Sequence, residues 1–71
     1  MIVFDKLWET MDDKGITVYT LREKHGIDHK TIKRLKENQN TETKTLNTLC
    51  NALDCRLSDI AEFIRDEENA E

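Results

Sequence analysis

The segment 17–38 constrains the fold more than any other part of this chain. It predicts two helices, over about 17–25 and about 28–38, with a tight turn between them. Gly26 tolerates the positive φ that a sharp helix end requires, and Ile27 can then pack back beneath the turn. Two helices joined by a short glycine-containing turn form a helix-turn-helix arrangement.

The second of these helices has two chemically different faces. Ile32 and Leu35 are three positions apart, so they share one face and are expected to point into a core. Lys30, Lys33 and Arg34 point roughly the opposite way. On an isolated helix such cations are usually a solvated face. Within a helix-turn-helix they favour contact with the major groove of duplex DNA.

Each predicted helix begins at a residue suited to capping. Thr17 and Asp28 carry side-chain oxygens that accept backbone N–H bonds. Tyr19 and Thr20 lie in the first turn after Thr17, where free N–H groups and the helix dipole attract phosphate, so both are candidate phosphate contacts. The alternative for Tyr19 is a side chain half-buried against the second helix.

Several short motifs resemble one known family. They are Thr17-Val18, Leu21-Arg22, Gly26-Ile27-Asp28, Thr31-Ile32 and the downstream segment 46–60. In these residues the chain resembles the lambda-repressor-like, Xre/Cro-type helix-turn-helix DNA-binding domain, over about 5–63. The resemblance implies an all-α, five-helix bundle in which the helix over 28–38 enters the major groove.

The resemblance also implies which side chains meet DNA. The expected base contacts are His29, Lys30, Lys33 and Arg34. The expected phosphate contacts are Thr17, Tyr19, Thr20, Arg22, Asn38, Asn40, Thr41, Thr43 and Lys44. The alternative for His29 is an exposed polar residue at a helix start, and for the polar tract 38–43 it is ordinary turn chemistry.

Two positions depart from the family pattern. Val18 stands where the family often has a glutamine that binds phosphate, so that contact is expected to be absent. Arg22 stands where a small alanine usually allows close helix packing. The Arg22 side chain must therefore extend outward, where it either widens the helix pair or reaches phosphate itself.

The net charge of −4 is unevenly distributed. Residues 14–45 carry eight Lys and Arg against four Asp and Glu, a net charge of +4. Residues 1–13 carry −3 and residues 46–71 carry −5. A basic centre between acidic ends predicts one preferred DNA-binding face and suppressed non-specific adhesion.

The remaining elements follow from helical spacing within one domain, 1–65. A first helix is expected over about 5–14, a fourth from about 41–43 to 53, and a fifth beginning at a Ser58 cap. The fifth would carry its apolar edge on Ile60, Phe63 and Ile64. The acidic segment 66–71 is expected to be a disordered tail.

The four apolar residues 1–4 exceed what a helix start requires. One interpretation is that they cover the gap between the first and fifth helices. The other is a short N-terminal strand or arm that pairs with a second subunit. The second interpretation makes Ile2 and Val3, together with Phe63, the expected contacts of a homodimer.

Other kinds of site are not expected. Cys50 and Cys55 do not suggest a disulfide framework, and with His25 and His29 they form only a weak zinc pattern. We expect no metal, cofactor, enzyme activity, signal peptide or membrane span. The expected setting is a reducing bacterial or phage-type cytoplasm, with the protein associated with the nucleoid through DNA.

The sequence therefore predicts a dimeric, sequence-specific reader of double-stranded DNA that regulates transcription in a repressor-like way. The alternative is a protein-interaction module that keeps the fold without reading DNA, such as an antitoxin-like or anti-repressor partner. The negative net charge, Val18 and the acidic tail favour that alternative.

Overall fold

The computed structural model describes residues 1–66. Over this range the chain forms four α-helices, two short strands and one 3-10 turn. In order they are β1 (Ile2–Val3), α1 (Asp5–Lys14), α2 (Val18–His25), α3 (His29–Lys36), α4 (Thr43–Leu53), the 3-10 turn (Leu57–Asp59) and β2 (Glu62–Phe63).

A single apolar core joins these elements. Every α-helix contributes at least one side chain that is almost fully buried, because each helix has apolar residues at helical spacing. α4 packs against both α1 and α2. The fully buried side chains are Leu7, Leu21, Leu35, Leu49, Leu53 and Ile60.

Each α-helix is followed by a residue in the left-handed conformation. These residues are Gly15, Gly26, Asn38 and Asp54, with φ of 66°, 70°, 56° and 49°. Three of them lie in turns in which the next residue donates a backbone bond five positions back. Those bonds are Ile16 N to Met11 O, Gln39 N to Arg34 O and Cys55 N to Cys50 O. Such bonds satisfy carbonyls that the helix end would leave free, and so keep the connections short.

The predicted fifth helix is absent from residues 1–66. The chain makes the 3-10 turn instead, in which the Asp59 carboxylate accepts the Arg56 N–H at 3.0 Å. Ile60 is fully buried, but Phe63 and Ile64 are exposed, so the three do not form one apolar edge. The spacing resembled a helix, but pairing with a distant strand gives the backbone bonds of this segment another partner.

That distant strand is β1. It pairs antiparallel with β2, with Ile2 opposite Phe63 and Val3 opposite Glu62. The N-terminal strand predicted from the sequence is therefore present, but it pairs within its own chain. Val3 is only 5% exposed, so its side chain belongs to the core and is not available to a second subunit. Ile2 and Phe63 are both exposed.

The acidic end of the chain is described only at its first residue. The Asp66 carboxylate lies 2.8 Å from the Met1 ammonium. The expectation of disorder for residues 67–71 lies outside the described residues. No helix within residues 1–66 is long and apolar enough to cross a membrane.

Candidate nucleic-acid interface

The helix-turn-helix is built from α2, the turn at Gly26 and α3. Both predicted caps are present: the Thr20 N–H donates to Thr17 Oγ1 at 3.2 Å, and the Thr31 N–H donates to Asp28 Oδ1 at 2.9 Å. Ile27 is 5% exposed, so it packs beneath the turn as expected. The two caps set where each helix begins and so which side chains occupy its first turn.

The Asp28 cap carries an electrostatic signature. Its hydrogen bonds with the Thr31 side chain and backbone lower the pKa of the Asp28 carboxyl, and Arg34 and Lys30 lower it further. Because hydrogen bonds and nearby cations favour the charged form, the cap is an anion at neutral pH. A carboxylate at this end also complements the dipole of α3.

α3 presents its cations to solvent and its apolar side chains to the core. His29, Lys30, Lys33 and Arg34 are exposed. Ile32 and Leu35 on the other side of the helix are 3% and 0% exposed. The helix is thus anchored by one face while four residues able to donate hydrogen bonds are free to approach base edges.

The first turn of α2, which precedes α3 in the chain, offers further polar side chains. Tyr19 is 69% exposed, so the alternative in which it is half-buried against α3 is wrong. Thr17 and Thr20 share a hydroxyl hydrogen bond at 3.2 Å. Arg22 is half-buried, whereas Val18 packs against the core and offers no hydrogen-bond donor. Tyr19 and Arg22 remain the candidate phosphate contacts with the longest reach on α2.

The polar tract after α3 forms an open groove with the start of α4. Thr31 and Arg34 line it from α3, and the opposite wall comes from the tract and from α4. Its other lining residues are Gln39, Asn40, Thr41, Glu42 and Thr45. Thr43 and Lys44 are exposed in the first turn of α4. Gln39 belongs to the polar tract already expected to follow the DNA backbone, whereas Thr45 was not among the predicted contacts, since only the folded chain places it at this groove with Arg34.

Glu42 introduces an acidic side chain at this groove. It is the residue before α4, yet its side chain makes no capping bond with the helix. Asn38 differs from the rest of the tract because its side chain bonds within the protein: its Oδ1 accepts the Phe4 N–H at 2.7 Å. The predicted phosphate contacts at 38–44 thus include one residue whose carbonyl is already engaged within the protein.

The cysteines and histidines do not gather at this surface. Cys50 and Cys55 are free thiols on either side of the turn that ends α4. Desolvation raises the pKa of the Cys55 thiol, and the neighbouring Cys50 and Asp59 raise it further. Within residues 1–66, no three His, Cys, Asp or Glu side chains come together in a group able to hold a metal ion.

Two capped helices around a glycine turn, with an exposed cationic helix anchored by its apolar face, define a helix-turn-helix DNA-binding protein. The sequence model of the Cro/C1-type helix-turn-helix DNA-binding domain matches residues 6–66. The chain belongs to this family, which confirms the resemblance drawn from 17–38 and 46–60.

The fold is also similar to a solved structure. The crystal structure of the transcriptional regulator VanUg, form II, superposes with a TM-score of 0.82 at 29% sequence identity. The match covers 92% of this chain and 87% of that chain. Among curated protein sequences, none matches this chain. Family and fold together assign the chain to DNA-binding regulators of transcription.

Proposed function

We propose that this chain binds duplex DNA in a sequence-specific manner as a homodimer and represses or otherwise controls transcription from its site. α3 lies in the major groove, where Lys30, Lys33, Arg34 and His29 contact bases. The observation that carries this proposal is the division of α3 into an exposed cationic face and a buried face made by Ile32 and Leu35.

Phosphate contacts come from the segments on both sides of α3 in the chain. The start of α2 supplies Thr17, Tyr19, Thr20 and Arg22, and the tract after α3 supplies the rest. Those residues are Asn38, through its amide nitrogen, and Asn40, Thr41, Thr43 and Lys44. Such contacts fix the orientation of α3 without selecting a sequence, because every base pair has the same backbone.

Two copies act together on one operator. A single module of this size reaches few base pairs, and specific sites are usually bound by dimers with half-sites about 34 Å apart. VanUg, the structural relative, is a transcriptional regulator, which supports the same role here.

Selection of bound sequences from a random duplex pool tests this function directly. We expect recovery of a two-fold symmetric site with half-sites about one helical turn apart. The selected duplex, titrated at low and moderate salt, should bind far more tightly than a scrambled duplex of equal length. Equal binding to both would remove sequence specificity, and no binding would favour a protein-interaction role.

A further inference from the structure

The strands β1 and β2, together with Met1 and Ile64 at their open end, form a ribbon that exposes several apolar side chains. Met1, Ile2, Phe63 and Ile64 are 52%, 49%, 66% and 46% exposed. They are four of the six large hydrophobic side chains that are exposed in residues 1–66. Because side chains alternate between the faces of a strand, Ile2 and Phe63 lie side by side on one face of the ribbon, and Met1 and Ile64 lie on the other. Clustered exposed apolar side chains mark interaction sites more often than single ones do.

The hydrogen bonds of the ribbon determine which backbone groups are free. The Ile64 N–H donates to Met1 O at 2.8 Å, and the Met1 ammonium donates to Ile64 O. In an antiparallel ladder such bonded pairs alternate with pairs whose N–H and C=O groups point away from the partner strand. Met1–Ile64 is a bonded pair, so the next pair, Ile2–Phe63, is not. The N–H and C=O of Phe63 therefore point to the outer edge of β2.

The opposite edge, at Ile2, is less accessible. The neighbouring Phe4 N–H is already bonded to Asn38, and a pocket beside β1 is walled by the loop after α3. At the outer edge of β2, by contrast, none of the hydrogen bonds described for residues 1–66 uses the Phe63 N–H or C=O. An edge strand with free N–H and C=O groups is a template for a further strand.

We propose that the outer edge of β2 pairs antiparallel with β2 of a second copy about a two-fold axis at Phe63, and that this pairing forms the homodimer. The Phe63 N–H of each chain donates to the Phe63 carbonyl of the other. The two ribbons become one four-stranded sheet whose outer face carries Ile2 and Phe63 from both copies. This inference rests on the proposed function for its need of two copies.

The register places no like charges opposite one another. With Phe63 opposite its own copy, Glu62 lies opposite Ile64 and Ala61 lies opposite Arg65. Opposed like charges would destabilise a sheet, so this pairing avoids a common penalty. The contact is isologous, because the same residues meet from both sides, and it closes after two copies.

The ribbon is also tied to the DNA-binding face. Phe4 follows β1 directly, and its N–H bond to Asn38 fixes the strand to the end of α3. Asn38 in turn donates its own N–H to Leu35 O at 3.2 Å. A two-fold axis at β2 therefore sets the spacing of two α3 helices through one short, rigid connection.

The test compares Phe63→Glu with Leu57→Glu in the full chain without DNA. Leu57 is 54% exposed but lies in the 3-10 turn, so the control introduces the same charge on an apolar site off the ribbon. Sedimentation equilibrium should show a wild-type dimer, and Phe63→Glu should raise its dissociation constant about tenfold or more. Leu57→Glu should leave it unchanged, and thermal melting verifies that both variants fold.

Hydrogen exchange followed by NMR gives a second measurement that does not depend on a variant. Exchange of the Phe63 amide should slow as protein concentration rises, while exchange of the Ile2 amide should not change. A wild-type chain that stays monomeric at every concentration overturns the proposal. So does a dimer that Phe63→Glu leaves intact, or a Phe63 amide insensitive to concentration.

DNA binding is measured separately, so that the two proposals can fail independently. On the selected duplex cut to one half-site, Phe63→Glu should bind as the wild-type chain does, and on the full site it should lose cooperativity. If Phe63→Glu abolishes the dimer but the wild-type chain binds no duplex, the ribbon interface stands and the proposed function falls. If Phe63→Glu leaves the dimer intact and the wild-type chain binds its site, the interface falls and the proposed function stands.

Discussion

The Phe4 N–H donates to Asn38 Oδ1 at 2.7 Å, and this bond joins the N-terminal strand to the turn that ends α3. The two residues are 34 positions apart in the chain. Asn38 can serve here because it also tolerates the left-handed conformation that ends α3, with φ of 56°. One side chain therefore stops a helix and anchors a strand.

Loss of this acceptor should destabilise the fold. Asn38→Gly keeps the left-handed turn without strain but leaves the half-buried Phe4 N–H unpaired, at a cost of about 1–3 kcal/mol in the free energy of unfolding. Asn38→Ala should cost more, because alanine adds conformational strain. Urea unfolding measures both. The exposed Asn40→Ala is the control, and a control as costly as Asn38→Gly would show that the bond contributes little.

Two substitutions on α3 separate base recognition from phosphate binding. If Lys30 contacts a guanine edge, Lys30→Ala should weaken binding to the selected site by about 1–3 kcal/mol and relax selectivity at one position. If Lys33 contacts a phosphate, Lys33→Ala should instead weaken binding to all sequences alike and reduce the salt slope by about one unit. Titrations of selected and scrambled duplexes at several salt concentrations distinguish these effects. If neither variant changes affinity, α3 is not the recognition helix.

Glu42 should oppose DNA binding from its place in the groove beside Arg34. Because its side chain does not cap α4, Glu42→Gln should leave stability nearly unchanged and tighten binding to any duplex, most strongly at low salt. Glu9→Gln, on the exposed side of α1, changes the net charge equally and is the matched control. Equal gains in affinity from both variants would mean that overall charge, and not the position of Glu42, controls binding.

The Asp28 cap should make stability depend on acid pH. Its pKa in the folded chain lies below the unfolded value of about 3.9, so its stabilisation is complete above that value and is lost as pH falls through the folded pKa. Wild type should therefore exceed Asp28→Ala in stability at neutral pH and lose this advantage in acid. Asp28→Asn keeps an acceptor that does not titrate, so its advantage over Asp28→Ala should persist across the same range of urea unfolding measurements.

The Cys55 thiol should react slowly with alkylating reagents. Its pKa is raised, chiefly by desolvation, so little thiolate is present near neutral pH. Mass spectrometry of peptides containing Cys55 should show slower labelling in the folded chain than in urea, with a rate that still rises above pH 9. Folded and unfolded chains that label equally fast would contradict the raised pKa.

The helix-turn-helix could be predicted from sequence because its signals are local. A cap acts on an N–H three residues away, as at Thr17 and Asp28, and a stripe such as Ile32–Leu35 repeats within one turn. Gly26 likewise acts within its own turn. The predicted bounds of 17–25 and 28–38 therefore lie within two residues of the observed α2 and α3.

The end of the chain could not be predicted in the same way. Ile60, Phe63 and Ile64 have spacing that suits a helix, but β1 offers this segment a ladder from nearly 60 residues away. Whether the segment forms a helix or a strand depends on whether Val3 and Ile60 are buried in the core together. No sequence pattern near either residue indicates that they are. The groove residue Thr45 was missed for a related reason, since it meets Arg34 across the groove only after α3 packs near α4.

The sequence alone determined where three helices begin and end around Gly15, Gly26 and Asn38, and which face of α3 is cationic. Those outcomes depend on backbone conformation and on side chains within one or two turns. Only the tertiary structure decided that β1 joins β2, that Val3 is buried while Ile2 and Phe63 face solvent, and that Asn38 holds Phe4. These outcomes depend on contacts between distant segments, whose energies become available only when the whole core forms.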